Sequence, residues 1–170
     1  MAANTRVFRG SDAILQLAVD NPNEEEGKDA NTFIEAFDLG TVGRASNVEV
    51  CVQTDLKAYH EIGKRHPAQL RPGNINISGK VGRAYINGAL LSMLLGKGAD
   101  PNRVNEPYAQ PSFNLLLTVT DPAFPATNSV LTIHGVKFQD WAYTLPEDDF
   151  VMESATFQGM FITVADAVQQ

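Results

Sequence analysis

The hydrophobic pattern changes period once, abruptly, in the middle of the chain. Ile75, Ile77, Val81 and Tyr85 fall on odd positions, with Asn74, Asn76, Ser78 and Lys80 between them. A repeat of two residues is a half-buried strand, apolar on one face and polar on the other. From Asn87 to Gly96 the period becomes helical: Asn87 can accept a bond from a first-turn amide, and Gly96 supplies the left-handed residue that often ends a helix. Leu90, Leu91, Met93, Leu94 and Leu95 are apolar almost all the way round, so this short helix needs cover on most sides. The pattern predicts a long strand feeding a buried plug helix, with sheet around it.

Elsewhere the pattern predicts mostly strands. Ile14, Leu15, Leu17 and Val19 mark a first one, and Val48, Val50 and Val52 another, alternating with polar positions. Asn21 to Asn31 is read as a polar, acidic loop, and Phe33, Ile34, Phe37 and Leu39 as an extended segment. The stretch from Asp55 to Arg71 is read as surface chain with a turn or two of helix, closed by a turn at Arg71-Pro72-Gly73. Gly96 to Pro111 reads as a long loop, of the kind that often contacts something else. Phe113–Thr120, Val130–Phe138 and Met152–Val164 are three further strands, and Gly79 suggests a bend or bulge. The last of these strands is apolar on both faces from Phe157 onward, and such strands need cover on both sides.

Length and composition fit one domain over residues 1–170, with 44% hydrophobic and 19% charged residues. The formal charge is −7, which argues against tight nucleic-acid binding. Its distribution is more informative. Lys57, Lys64, Arg65 and Arg71 cluster with His60 and His66, whereas no Lys or Arg follows Lys137, and Glu147, Asp148, Asp149 and Glu153 all do. Two solvated surfaces would explain this; head-to-tail complementarity between copies of the chain is the alternative. Cys51, the one cysteine, reads as a small core residue in a reducing compartment. The opening MAANTRVFRGSD has no apolar signal-peptide core and no run reaches membrane-spanning length, so synthesis in a cytoplasm without membrane insertion is expected.

Chemistry is hard to find. His60 and His66 are not at zinc-hydrolase spacing, and His134 sits in a strand pattern. Glu24-Glu25-Glu26 lacks the alternating ligands of a calcium loop. Gly79, Gly82 and Gly88 form neither a phosphate cradle nor a dinucleotide fingerprint. No nucleophile has an evident base partner. The expectation is no catalytic residue, no metal and no cofactor.

The series LRPGNINISGKVGRAYINGALLSMLLG resembles the long strand and following helix of bacteriophage tail tube proteins, and VLTIHGVKFQDWAYTLPEDDFVMESATFQGMFITV resembles the family's last hairpin. The similarity covers roughly Val48 to Asp166 and is one of pattern. It implies a mainly β, antiparallel sandwich or barrel with one short buried helix, the fold shared with the type VI secretion tube protein (Hcp). It further implies six-fold rings of this chain, stacked helically into a hollow virion tail that conducts DNA without binding it specifically. Sheath, baseplate or initiator, and tail terminator proteins are the partners it implies. On this reading Lys57, Lys64, Arg65 and Arg71 are candidate ring-stacking contacts, and Glu147, Asp148, Asp149 and Glu153 a candidate acidic lumen or interface. The alternatives are an Hcp-like tube protein of a contractile secretion or injection system, a cupin-like metal enzyme, and a monomeric ligand-binding sandwich using Trp141 and Tyr143.

Overall fold

A computed structural model describes residues 7–102 and 106–167. The elements in chain order are β1 (Ala13–Val19), α1 (Glu25–Ala36), β2 (Ala45–Tyr59), β3 (Gln69–Ala84), α2 (Ala89–Leu95), β4 (Phe113–Asp121), β5 (Phe124–Thr144), β6 (Met152–Gly159) and β7 (Phe161–Ala167). All strand pairs are antiparallel, in the order β1-β4-β5-β6-β3-β2, with β7 also on β5. The chain is therefore mainly antiparallel β with a short buried helix, the fold that the tube-protein resemblance implies.

The sheet is bent into two facing halves. β5 is long enough to serve both: its Asn128–His134 portion pairs with β7, and its Lys137–Thr144 portion with β6. The bend falls at Gly135, whose φ of 63° is the left-handed conformation that glycine tolerates. A Cβ there would strike Met160, and one at Gly159 would strike Ile133. The Met160 amide donates to the His134 carbonyl at 2.8 Å and so fixes the corner. The expected single strand from Met152 to Val164 is consequently two, interrupted at Met160 where it follows the bend of β5.

Between the halves lies the core: Leu15 and Leu17, Ile77 and Val81, Phe113 and Leu115, Ile133, Val136 and Phe138, Ala155 and Phe157. Gly79 is not a bulge. It is paired in register with Val50 and Phe157, and its missing side chain makes room for the Phe157 ring, whose Cζ lies 2.4 Å from where a Cβ would be. α2 inserts Ala89, Leu90 and Met93 into this core, and Asn87 Oδ1 accepts the Ala89 amide at 3.1 Å, as the sequence predicts. Gly96 follows in a positive-φ conformation. Cys51 is half-buried and lies between the inward Val50 and the exposed Val52, outside the core.

Two segments differ from expectation. Residues 25–36 form α1 instead of an acidic loop and an extended segment. Ala30, Phe33, Ile34 and Phe37 recur at the helical spacing of three, four and seven, and all four pack on the core. The acids Glu25 and Glu26 sit in the first turn, where the helix dipole favours negative charge. After α1 the chain turns back over β1, and Leu39–Val42 bonds both Leu15 and Leu17, covering that edge. Second, the basic stretch is a β-hairpin with no helix. β2 and β3 run on to Tyr59 and Gln69, Arg71 and Pro72 are in-ladder residues of β3, and the irregularity lies at Thr54/Leu56.

Candidate assembly surfaces

The β2–β3 hairpin changes character halfway along. β6 pairs with β3 only from Ile77 onward. Beyond that point β2 and β3 continue as a two-stranded arm that no other described element covers, and every residue from Val52 through Asn76 is exposed. An isolated two-stranded ribbon is marginal in water. This one exposes Leu56, Tyr59, Leu70 and Ile75 along its length and Ile62 at its tip, where Ile62 is fully exposed. The tip turns through Gly63 at φ 84°, with the Ala68 amide donating to the Tyr59 carbonyl.

All four basic residues singled out from the sequence lie on this arm. Lys57 pairs across the ladder with Arg71, and Lys64 and Arg65 are at the tip. Lys64 bridges Glu61 at 2.9 Å in an exposed pair, an arrangement worth on the order of 0–1 kcal/mol. Between Asp55 and Arg71 four cations face two carboxylates, Asp55 and Glu61.

At the other end of β3 lies a second exposed surface. Ala84 pairs with Met152, and Thr144 with the same residue, so the β5–β6 connection projects from the pole opposite the arm. Leu145 and Phe150 are exposed there, Phe150 at 81%. Tyr143 stacks on Tyr85 with centroids 5.5 Å apart, both rings part-exposed. Glu147, Asp148 and Asp149 are exposed in the same connection.

Glu153 does not share that surface. Its side chain is fully buried and ion-paired to Arg83, itself buried. Trp141 Nε1 donates to the second carboxylate oxygen at 2.8 Å, and Arg83 Nη2 reaches Asn87 Oδ1 at 3.2 Å. Asn87, just before the N-cap Gly88, thus takes up the Ala89 amide and the guanidinium at once, tying β3, β5, β6 and the helix together. Charges removed from water need this degree of pairing. Glu153 is a structural ion, and Trp141 is tied to it through its indole N–H.

A cavity of about 730 Å³ opens between the sheet halves where β2 begins. Ile14, Val42, Val48, Leu117 and Leu131 line it, and among the described residues Arg44 is the one charged residue in its wall. Among the described residues no carboxylate, histidine or thiol converges there to make an acid–base or nucleophile pair. His134 bonds Thr163 and stacks on Phe161 on the exposed side of β5 and β7. Among the described residues no three His, Cys, Asp or Glu side chains are placed to hold a metal. Of the loop expected from Gly96 to Pro111, residues 103–105 lie outside the described residues; the rest packs back, Lys97 pairing with Asp29 and the Ser112 amide donating to the Glu26 carbonyl.

Among the described residues sheet margins remain open: β7 pairs with β5 alone and β2 with β3 alone, and β7 is almost wholly exposed, with Phe161 and Val164 on its surface. Unpaired margins are what isolated soluble domains normally blunt or cover.

No family model matches the chain, and no curated protein matches its sequence. Solved structures do match in shape. A chain of the sheath–tube complex of an extracellular contractile injection system, PVC, in its extended state superposes with a TM-score of 0.64 at 8% identity, over 97% of this chain and 95% of that one. The SPP1 tail tube gives 0.58 at 9% identity, over 96% and 81%. A type six secretion system protein gives 0.50 at 11% identity, over 93% and 83%. The fold of this chain is the one found in tail tube proteins of contractile injection systems and phage tails and in type VI secretion tube-like proteins.

Proposed function

We propose that this chain is a structural tube subunit, one domain per copy, which closes into hexameric rings that stack into a hollow tail tube conducting DNA from virion to host. The observation that carries the reading is the bare arm: a two-stranded ribbon with apolar side chains on show is satisfied only by a neighbour. Shape similarity to tube chains over nearly the whole length supports it, as do the open margins of β2 and β7, which ring closure would pair. The subunit performs no catalysis. Its arm, with Lys57, Lys64, Arg65 and Arg71, makes the ring-to-ring contact, and polar, net acidic strands face the lumen. Negative charge there repels phosphates over a Debye length of about 8 Å at physiological salt, so DNA slides without adhering. Tubes assemble in the host cytoplasm with sheath, initiator and terminator proteins as partners.

Negative-stain electron microscopy of concentrated protein tests this: hollow filaments with a ring repeat are expected, and a chain that light scattering finds monomeric at every concentration overturns it. A second reading keeps the tube and changes its cargo to protein, as in a contractile injection system. The PVC match and a match to the cap of the anti-feeding prophage, TM-score 0.63, favour it. Neighbouring genes for capsid and terminase, against genes for secretion components, separate the two.

A further inference from the structure

The arm and the β5–β6 connection stand at opposite poles of one strand. β3 runs from Gln69 beside the arm tip to Ala84 beside Met152, and sixteen residues at about 3.3 Å each place the poles roughly 50 Å apart. One pole is cationic with a protruding aliphatic residue, Ile62. The other is anionic, with exposed rings and an exposed leucine. No lysine or arginine follows Lys137 in the sequence, and among the described residues no ion pair reaches Glu147, Asp148 or Asp149. Each pole therefore lacks what the other carries.

We propose that the tip of the arm of one copy docks on the β5–β6 pole of the next, Ile62 against Tyr85, Tyr143 and Phe150, with Lys64 and Arg65 facing Glu147, Asp148 and Asp149. The occupant is a second copy of this chain, because the complementary surface is already in the molecule. The two surfaces differ and sit at opposite ends, so the contact is heterologous and does not close; it propagates as a filament. Burial of the rings and the aliphatic tip supplies the attraction, and the charges fix which end meets which. Surrounding apolar cover strengthens the charge pairs by excluding water. The inter-sheet cavity is the competing dock on the same copy, but the charged residue in its described wall, Arg44, is of the arm's own sign. This inference rests on the tube-subunit reading and specifies its axial contact.

Charge exchange tests it. Lys64→Glu with Arg65→Glu, and separately Asp148→Lys with Asp149→Lys, are each expected to raise the protein concentration needed for sedimentable polymer by about tenfold or more, one decade corresponding to about 1.4 kcal/mol. A chain carrying all four substitutions is expected to return to within about threefold of the unaltered chain, since the exchanged poles again match. All four sites are exposed, so unchanged urea midpoints will show that folding is intact. If the Asp148→Lys, Asp149→Lys chain polymerises like the unaltered one, the β5–β6 pole is not the dock. A four-substitution chain no better than its parents shows that the two sites do not meet. In both cases tubes of the unaltered chain leave the tube reading standing. An unaltered chain that never polymerises overturns both.

Discussion

The two halves of β3 share a strand and a partner, β2, with one register shift between them at Thr54/Leu56, yet they stand in different surroundings. From Ile77 to Ala84 the strand has β2 on one side and β6 on the other, and Ile77, Val81 and Arg83 point into a closed interior. From Gln69 to Asn76 it has β2 alone, and water reaches every residue. Side chains in the first half hold the subunit together. Those in the second contribute little to the stability of a single copy, so their apolar character has its use elsewhere. The distinction is between residues that specify a fold and residues that specify an assembly, placed head to tail on one ladder.

Substitutions should separate the two halves, most sharply at Arg83. Arg83→Ala strands the Glu153 carboxylate without its counter-ion in a dry site, and a loss of about 3–5 kcal/mol in urea unfolding is expected. A pair of hydrophobic replacements, Arg83→Met with Glu153→Leu, should recover much of it. Next is Gly79→Ala, which drives a methyl into the Phe157 ring and the Glu49 carbonyl; an overpacking cost of about 1–3 kcal/mol is expected by the same measurement. Asn87→Ala removes the acceptor of the Ala89 amide at the start of α2, at about 1 kcal/mol, with a little more from the lost bond to Arg83. Smallest is the arm. Leu56→Ser with Leu70→Ser should leave the urea midpoint within about 0.5 kcal/mol of the unaltered chain while abolishing tubes under the electron microscope. A large stability loss from the arm pair would erase the distinction, and retained tubes would leave the arm without a role.

The sequence makes the two halves legible to different degrees, for a physical reason. A period is imprinted where one face meets a core, and β1, β4, the interior part of β5 and α2 all carry it. The arm is exposed along its whole length, so Lys57 to Arg71 follows no alternation that burial would impose, and Arg71-Pro72-Gly73 imitates a turn. Pro72 is tolerable in the ladder because β3 there has only one neighbour. α1 was within reach: Ala30, Phe33, Ile34 and Phe37 have helical spacing, but Gly27 and the surrounding Asn and Asp residues outweigh it locally. Gly27 proves to be a packing requirement, since a Cβ would fall 1.7 Å from the Asn21 carbonyl oxygen. The Arg83–Glu153 pair was out of reach. Its members are seventy residues apart, and Glu153 follows three exposed acids that lend it the look of a surface residue.

Because β2 and β3 run along the line joining the two poles, a pull applied between the arm tip and the β5–β6 connection acts parallel to the strands. The ladder bonds lie across that direction and are loaded in shear, many at once, instead of being opened one after another as in unzipping. The same geometry that offers an unfinished surface to a neighbour makes each copy a stiff link under tension.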